Sequence, residues 1–225
     1  MQLMNGESLS FEMQYGLTAV SEIFMIGIPA LVFWTDCFQD RDALRRAFPK
    51  QTPDRIGLTM LSAVGFTIVG MVITVLWMSV LSMFHYSPKQ LMMANPQTHT
   101  QLLLAVLAAS IIPAACEEML FRGVLLRFAS GKWGDNAAIW VTAVLFAALH
   151  FSVPGFPMLF MIGVILARLA LTYKGLTLPF IFHAMYNFSA VVINRYGAAP
   201  SLLTIIMALI IFRRSTSSLL FEKEA

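Results

Sequence analysis

Two adjacent carboxylates interrupt an apolar stretch of this sequence. Residues 111–128 read IIPAACEEMLFRGVLLRF, so that Glu117, Glu118 and Arg122 lie among Ile, Leu, Ala, Phe and Met. On an α-helix, Glu118 and Arg122 are four residues apart, share a face and can form an ion pair. Glu117 lies about 100° around the helix from Glu118. This spacing predicts that Arg122 neutralises Glu118 while Glu117 stays available to react.

Two histidines and an asparagine lie in other apolar stretches. His150 comes near the end of LFAALHF, one helical turn after Phe146, and His183 is followed by Asn187 in HAMYNF. Both pairs have the i,i+4 spacing that places two side chains on one helix face. One carboxylate and two imidazoles are a set that can activate water, either directly or through a metal ion.

Polar residues inside apolar helices can also serve only to hold helices together. For Glu118 and Arg122 we favour this structural role. For Glu117, His150 and His183, which lie on three separate stretches, we favour chemistry, because polar groups at membrane depth cost several kcal/mol unless they are paired or wet. A rise of about 1.5 Å per residue places the three at overlapping depths without locating a common point.

The composition indicates an integral membrane protein. Of the 225 residues, 58% are hydrophobic and 12% are charged, and the mean hydropathy is +0.75. Soluble domains carry roughly 25% charged residues and cannot bury this much apolar surface. Because a span needs about 20 apolar residues, the sequence predicts spans near 16–34, 56–84, 102–128, 137–151, 156–173, 176–193 and 201–212.

These stretches predict an all-α fold, a polytopic bundle of about seven transmembrane helices. No repeat, low-complexity tract or soluble domain is visible, so we expect one membrane-embedded domain over residues 1–225. The motif-bearing core of that domain is expected at about 102–195.

The basic residues predict the orientation of the bundle. With the N-terminus outside, thirteen of the fifteen Lys and Arg residues lie on the inner side, and only Lys89 and Arg195 lie outside. The positive-inside rule then predicts a cytoplasmic C-terminus. The pI near 9.0 reflects these basic loops and not a nucleic-acid partner. The first fifteen residues contain no Lys or Arg, so we expect a retained first helix and not a signal peptide.

Two further features lie outside the motif-bearing stretches. Segment 35–55 mixes charged and apolar residues and predicts an amphipathic helix at the membrane interface, ended by Pro49 and Pro53. Cys37 falls in a polar loop and Cys116 in a predicted span, so we do not expect a disulfide.

Other hydrolytic chemistries lack their residues. No HExxH sequence is present, which excludes the zinc proteases that use that helix. Every aspartate falls in a predicted loop, so no intramembrane aspartic pair is expected. Ser110, Ser152 and Ser189 lack a Gly-x-Ser-Gly setting, and nothing near Cys116 in the sequence would activate its thiol.

Three motifs together resemble a known family. EEMLFR at 117–122, FAALH at 146–150 and HAMYN at 183–187 match Glu-Glu-x-x-x-Arg, Phe-x-x-x-His and His-x-x-x-Asn. In this order and on separate spans, they resemble the CPBP family of intramembrane proteases, which includes CAAX prenyl endopeptidases and bacteriocin-processing and immunity (Abi-like) relatives. The resemblance covers about 102–195. It implies hydrolysis of a peptide bond in a membrane-anchored or lipidated protein or peptide, in contact with the lipid bilayer.

The resemblance also implies a role for each motif residue. Glu117 would be the general base that activates water, assisted by His150. His183 and Asn187 would stabilise the oxyanion of the tetrahedral intermediate. Supporting roles would fall to Glu118, Arg122 and Phe146.

The resemblance leaves the cofactor open, because the family is described both as metal-dependent and as glutamate-dependent. Glu117, His150 and His183 could be three ligands of a zinc ion with an open fourth position. We expect a metal-free reaction, because Asn187, one turn from His183, suits oxyanion donation better than zinc binding.

Two other functions stay open from the sequence. The same Glu and His residues could relay protons in a small secondary transporter, although neither paired broken helices nor a repeat is visible. A non-catalytic scaffold that binds the transmembrane segment of a partner is the other alternative. Short helical loops favour a prokaryotic inner membrane as the location.

Overall fold

The computed structural model describes residues 9–38, 46–87, 93–197 and 199–221, which are almost entirely helical. In chain order the helices of these ranges are α1 (Phe11–Ser21, Glu22–Gly27 and Ile28–Phe38), α2 (Pro53–Met83), α3 (His99–Trp133), α4 (Asp135–Leu149), α5 (Phe156–Thr172), α6 (Thr177–Tyr196) and α7 (Leu202–Phe221). The prediction of an all-α helical bundle is confirmed.

Among the residues that the structure describes, four helices are long and apolar enough to cross a membrane, judged by length and composition. They are Phe11–Trp34 of α1, all of α2, all of α3 and Leu202–Leu220 of α7. The apolar helices α4 and α5 are shorter, with 15 and 17 residues. These two form a hairpin whose closing turn contains His150.

Helix α7 continues well beyond residue 212, where the predicted span ends. Its polar second half, RRSTSS, stays helical because it packs against α2 and α5. Thr216 Oγ1 lies 2.5 Å from Ser62 Oγ, and the Tyr173 hydroxyl donates to the carbonyl of buried Leu219 over 2.8 Å. A search for apolar runs cannot find such an extension, because tertiary contacts stabilise it.

The predicted interfacial helix at 35–55 is tested only at its ends, because residues 39–45 lie outside the described residues. Residues 35–38 continue α1. Residues 46–47 are helical and this helix ends before Pro49, as expected, whereas Pro53 does not end a helix but occupies the first turn of α2. Proline is well tolerated there, since the first backbone N–H groups have no partner within the helix. Thr52 caps this helix by accepting from the Arg55 N–H.

Helix α3 is not a uniform α-helix. Two π-helical segments, Leu107–Ile111 and Met119–Leu125, lie on either side of the regular segment Ile112–Glu118. Pro113 has no N–H to donate to the preceding turn, which accounts for the first of these irregular segments. π-Helical segments occur frequently at functional sites, and both lie close to the Glu-Glu pair.

The core joins the helices that carry the motifs. Its largest cluster of buried residues contains Ala63, Phe66, Phe121, Phe146, Met158, Ile162, Leu166, Leu169, Phe182 and Leu219. Among the close approaches that require glycine, two join neighbouring helices of the bundle. A Cβ at Gly163 would lie 2.9 Å from the Ala143 Cα, and one at Gly123 would lie 1.9 Å from the ring of Trp34. These contacts fix α5 against α4 and α3 against α1.

Candidate active site

Three helices bring Glu117, His150 and His183 together. The Glu117 Oε2 atom lies 3.8 Å from the Nε2 atom of His150 and 3.9 Å from the Nε2 atom of His183. Glu117 belongs to α3, His150 follows the last residue of α4, and His183 belongs to α6. Helix depth could not locate this point from the sequence. Both distances exceed that of a direct hydrogen bond.

A buried hydrogen-bond network lies behind these residues. Glu118 Oε1 accepts from Arg122 Nη1 and is joined to His183 Nδ1, each over 2.8 Å. The ion pair that the i,i+4 spacing predicts is therefore present, but its contact with His183 is new. Arg122 Nη2 also donates to the Gly163 carbonyl over 3.2 Å. The network thus fixes α3, α5 and α6 relative to one another.

These bonds determine which histidine nitrogens carry hydrogen. An ionised carboxylate and a backbone carbonyl only accept hydrogen bonds. His183 Nδ1 faces the Glu118 carboxylate, and His150 Nδ1 faces the Phe146 carbonyl over 2.7 Å. Each Nδ1 therefore carries hydrogen, and each neutral ring presents an unprotonated Nε2 towards Glu117. His183 can donate from Nε2 only as a doubly protonated imidazolium.

Phe146 forms the wall against which both imidazoles pack. Its side chain is fully buried, and its ring centroid lies 4.7 Å from that of His150 and 5.7 Å from that of His183. On the same ring, the Arg122 guanidinium carbon lies 4.6 Å from the centroid, a cation–π contact. Phe146, for which a supporting role was expected, thus contacts His150, His183 and Arg122 directly.

Exposure changes steadily across the site. The exposed fraction of the side chain is 1% for Glu118 and Arg122, 4% for His183, 10% for Glu117 and 30% for His150. The ion pair is therefore dry, whereas the site opens at His150. Glu117 lies at the boundary between the two environments.

The turn after His150 forms the open edge of the site. Phe151 adopts a φ of 49°, a left-handed conformation that strains bulky residues, and its side chain is 89% exposed. The indole N–H of Trp77 in α2 donates to the Val153 carbonyl over 2.9 Å. This turn is therefore fixed against α2 while its apolar side chains remain exposed.

Asn187 lies one turn beyond His183 on α6 and is partly buried. In the described part of the chain, no hydrogen bond joins its amide to Glu117, His150 or His183. The structure therefore brings six of the seven predicted site residues into one contact network, whereas Asn187 lies beside it without such a contact.

The three residues considered as zinc ligands are spaced slightly more widely than a zinc tetrahedron requires. Zinc bonds of 2.0–2.2 Å imply ligand atoms roughly 3.3–3.6 Å apart, and Glu117 Oε2 lies 3.8 Å from His150 Nε2 and 3.9 Å from His183 Nε2. Among the described residues, no group of three or more His, Cys, Asp or Glu side chains is arranged as a metal site.

Glu22 is a nearby residue that the sequence analysis missed. It begins the π-helical turn of α1, where α1 packs so closely on α3 that a Cβ at Gly27 would lie 2.8 Å from Cys116 Sγ. The Glu22 carboxylate interacts electrostatically with Glu117 and His183. Its Oε2 atom is buried without a hydrogen-bond partner among the described residues. A carboxylate inside the first apolar stretch was the signal that could have identified it.

Comparison with known proteins supports the resemblance of the three motifs. A protein-family model described as type II CAAX prenyl endopeptidase Rce1-like matches residues 99–189. This range includes all three motifs and runs from the start of α3 into α6. No curated protein and no solved structure matches the chain. Residues 99–189 of this integral membrane protein are therefore a domain of the Rce1-like family of type II CAAX prenyl endopeptidases.

Proposed function

We propose that this protein hydrolyses a peptide bond in a membrane-associated or lipidated protein, using a water molecule activated by Glu117. The observation that carries the proposal is the convergence of Glu117, His150 and His183 at the open edge of a dry bundle. The family match supports a protease that acts on membrane-associated proteins. An intramembrane hydrolase must hold water in apolar surroundings, and this edge offers the polar groups for it.

The first step is the attack of water on the carbonyl carbon of the substrate. A water molecule placed between Glu117 Oε2 and His150 Nε2, which are 3.8 Å apart, would lie within hydrogen-bond reach of both. Glu117 accepts one proton as the oxygen–carbon bond forms, and His150 orients the water by accepting from its other hydrogen. The carbonyl oxygen becomes an oxyanion.

His183 and Asn187 would stabilise this oxyanion. Donation from His183 Nε2 requires the imidazolium form, because Nδ1 already donates to Glu118. Glu117 faces the Nε2 atom of this ring and Glu118 faces its Nδ1 atom. Both carboxylates attract the positive charge of an imidazolium strongly in such dry surroundings. The amide of Asn187 is the second donor, and preorganised donors of this kind are a large source of rate enhancement.

The second step breaks the carbon–nitrogen bond. The proton that Glu117 took from water passes to the leaving amine nitrogen, so Glu117 returns to its carboxylate form. Glu118 and Arg122 do not exchange protons in this scheme, and their role is to hold His183 in place. The oxyanion reforms the carbonyl as this bond breaks, so the products are a carboxylic acid and an amine, and the acid then gives its proton to the amine.

The open edge also fits a substrate that arrives through lipid. Phe151, Val153 and Phe156 are exposed apolar side chains around the turn beside His150. A lipidated or membrane-anchored segment can contact these residues while its peptide bond reaches Glu117.

The central experiment is cleavage by full-length protein in lipid vesicles. Candidate lipidated CAAX peptides and tail-anchored peptides are incubated with wild-type protein and with Glu117→Gln, and mass spectrometry identifies the products. Glu12→Gln is the matched control, because Glu12 is an exposed carboxylate at the start of α1. The proposal predicts cleavage by wild type and the control only. Equal cleavage by Glu117→Gln would contradict it.

We further propose that the reaction needs no metal. The position of Asn187, one turn beyond His183 on α6, supports this proposal, because an amide suits oxyanion donation better than zinc binding. Activity should then survive a strong chelator, and purified active protein should contain far less than one metal per chain. Stoichiometric zinc, with activity lost to chelator and restored by zinc, would overturn the metal-free mechanism and leave the protease assignment standing.

We also infer a prokaryotic inner membrane, an outside N-terminus and a cytoplasmic C-terminus for one membrane-embedded domain of residues 1–225. The thirteen-to-two distribution of basic residues supports the orientation. Reporter fusions in the loop 85–100 and after residue 225 should report opposite sides of the membrane. The same side for both fusions would refute this topology.

A further inference from the structure

A cavity of about 280 Å³ lies behind the active site, between α3 and the turn that joins α5 to α6. Three of its lining residues are the cations Arg122, Arg127 and Lys174, and none of the lining residues that the structure describes is acidic. The described lining is therefore basic, with Arg122 paired to Glu118, and the cavity has room for a small anion with several waters, each of which takes up roughly 30 Å³.

The cations at this cavity are held in place by packing. The Arg127 guanidinium lies 5.1 Å from the Trp34 ring centroid. Lys174 has a φ of 48°, the left-handed conformation, in a turn where a Cβ at Gly175 would meet Pro49 at 2.4 Å. Basic side chains at a membrane boundary commonly extend freely towards water. Here an aromatic contact holds the Arg127 guanidinium, and a crowded turn fixes the backbone of Lys174, whose side chain is exposed.

The α5–α6 turn is also bound to the segment that precedes α2. The Leu176 N–H donates to the Ala47 carbonyl and the Thr177 hydroxyl donates to the Pro49 carbonyl, both over 2.7 Å. These bonds hold Lys174 at the rim of the cavity. The floor and rim therefore belong to a rigid part of the fold.

Arg122 connects the cavity with the active site. Its Nη1 and Nη2 atoms donate to Glu118 and to Gly163, but its Nε atom is buried without a hydrogen-bond partner among the described residues. A buried N–H that lacks an acceptor is unfavourable. An anion in the cavity, which Arg122 lines, can supply that acceptor.

We propose that this cavity binds a phosphate group and that the bound phosphate supports the active site through Arg122. A tetrahedral phosphate offers several strong acceptors at once, and planar guanidinium groups recognise it well. The group can come from the headgroup of an anionic phospholipid or from free phosphate. Binding does not depend on the proposed protease function, whereas the effect on cleavage rests on it.

Binding is tested first, without any activity measurement. Full-length protein is reconstituted in nanodiscs of phosphatidylcholine alone or with phosphatidylglycerol, and native mass spectrometry counts retained anionic lipid. Inorganic phosphate is titrated separately in detergent against chloride at equal ionic strength, with thermal unfolding as the readout. The test variant carries Arg127→Gln and Lys174→Gln. The control carries Lys132→Gln and Arg168→Gln, two cations of α3 and α5 that do not line the cavity.

We expect each lost cation to weaken phosphate binding roughly tenfold. If wild type retains phosphatidylglycerol but is not stabilised by inorganic phosphate, the ligand is a lipid headgroup. If inorganic phosphate also stabilises wild type against thermal unfolding, free phosphate is sufficient. Equal binding by wild type and the test variant would overturn the proposal. If the double variant fails to fold, the exposed single change Lys174→Gln must still weaken binding severalfold.

Cleavage is measured second, in the same nanodiscs. Wild type and control should cleave faster with the bound phosphate ligand than without it, and the test variant should lose this increase. Binding without any change in cleavage would overturn the coupling through Arg122. Protein that binds phosphate but cleaves no substrate in either nanodisc would refute the proposed protease function, and with it the proposed effect on cleavage, while leaving the binding site intact.

Discussion

Glu117 and Glu118 are neighbours in the sequence but lie in two different regions of the molecule. Glu118 belongs to a closed network, 1% exposed, with two hydrogen-bond partners at 2.8 Å. Glu117 belongs to an open region, where its two nearest imidazole nitrogens lie at 3.8 and 3.9 Å. A turn of about 100° on one helix thus separates a carboxylate held by two short hydrogen bonds from one whose nearest partners lie beyond hydrogen-bond distance.

The largest expected effect comes from the open region. Glu117→Gln keeps the shape of the side chain but removes its ability to accept a proton, so cleavage should fall by roughly 10²–10⁴-fold. Thermal unfolding should change little, because Glu117 has no short hydrogen bond to lose. Steady-state cleavage and the unfolding temperature are measured on the same preparation. A variant that unfolds before it loses activity would erase the distinction between the two regions.

The closed region should respond in stability. Glu118→Ala leaves Arg122 and His183 without their shared partner, and loss of one member of a buried ion pair costs roughly 3–5 kcal/mol. Chemical unfolding in detergent measures this change, with the exposed Glu12→Ala as the control. A stable and active Glu118→Ala protein beside an unfolded Glu117→Gln protein would reverse the assignment of the two carboxylates.

Asn187 sharpens the comparison, because it lies beside the network without a bond to it. If its amide contacts only the oxyanion, Asn187→Ala should lower kcat by roughly 10²–10³-fold with little effect on KM or on stability. Asn194→Ala, two turns further along α6 and exposed, is the matched control. Equal activity of the two variants would remove Asn187 from the mechanism.

The smallest effect is expected at Glu22. Its carboxylate interacts with Glu117 and His183 only through space, and such charge interactions weaken with distance. Glu22→Gln should therefore slow cleavage by less than about tenfold. A loss as large as that of Glu117→Gln would instead place Glu22 among the catalytic groups.

The helical order and the i,i+4 ion pair could be predicted because both depend on local spacing. A helix that contains Glu118 and Arg122 brings them together whatever lies around it. The bond between Glu118 and His183 could not be predicted, because it depends on how α3 and α6 are placed relative to each other. The end of α7 was missed for the same reason, since contacts with α2 extend it.

Some other features could have been predicted by applying the same sequence rules to further residues. Glu22 is a carboxylate in an apolar stretch, as Glu117 is, and the same rule of unexpected polar residues applies to it. Pro113 indicates an irregular turn in α3, although it does not specify a π-helical one. The position of His150 at an open turn follows from where α4 ends, and the run of apolar residues on both sides of that turn hides this boundary.

The short hairpin of α4 and α5 has a consequence for the lipid around it. A helix of 15 residues is about 22 Å long, whereas the hydrocarbon core of a bilayer is about 30 Å thick. This hydrophobic mismatch requires either a locally thinned leaflet or a turn that lies below the membrane surface. In both cases the hydrocarbon layer that a polar peptide group would have to cross to approach Glu117 is thinner here than beside the long helices α2 and α3.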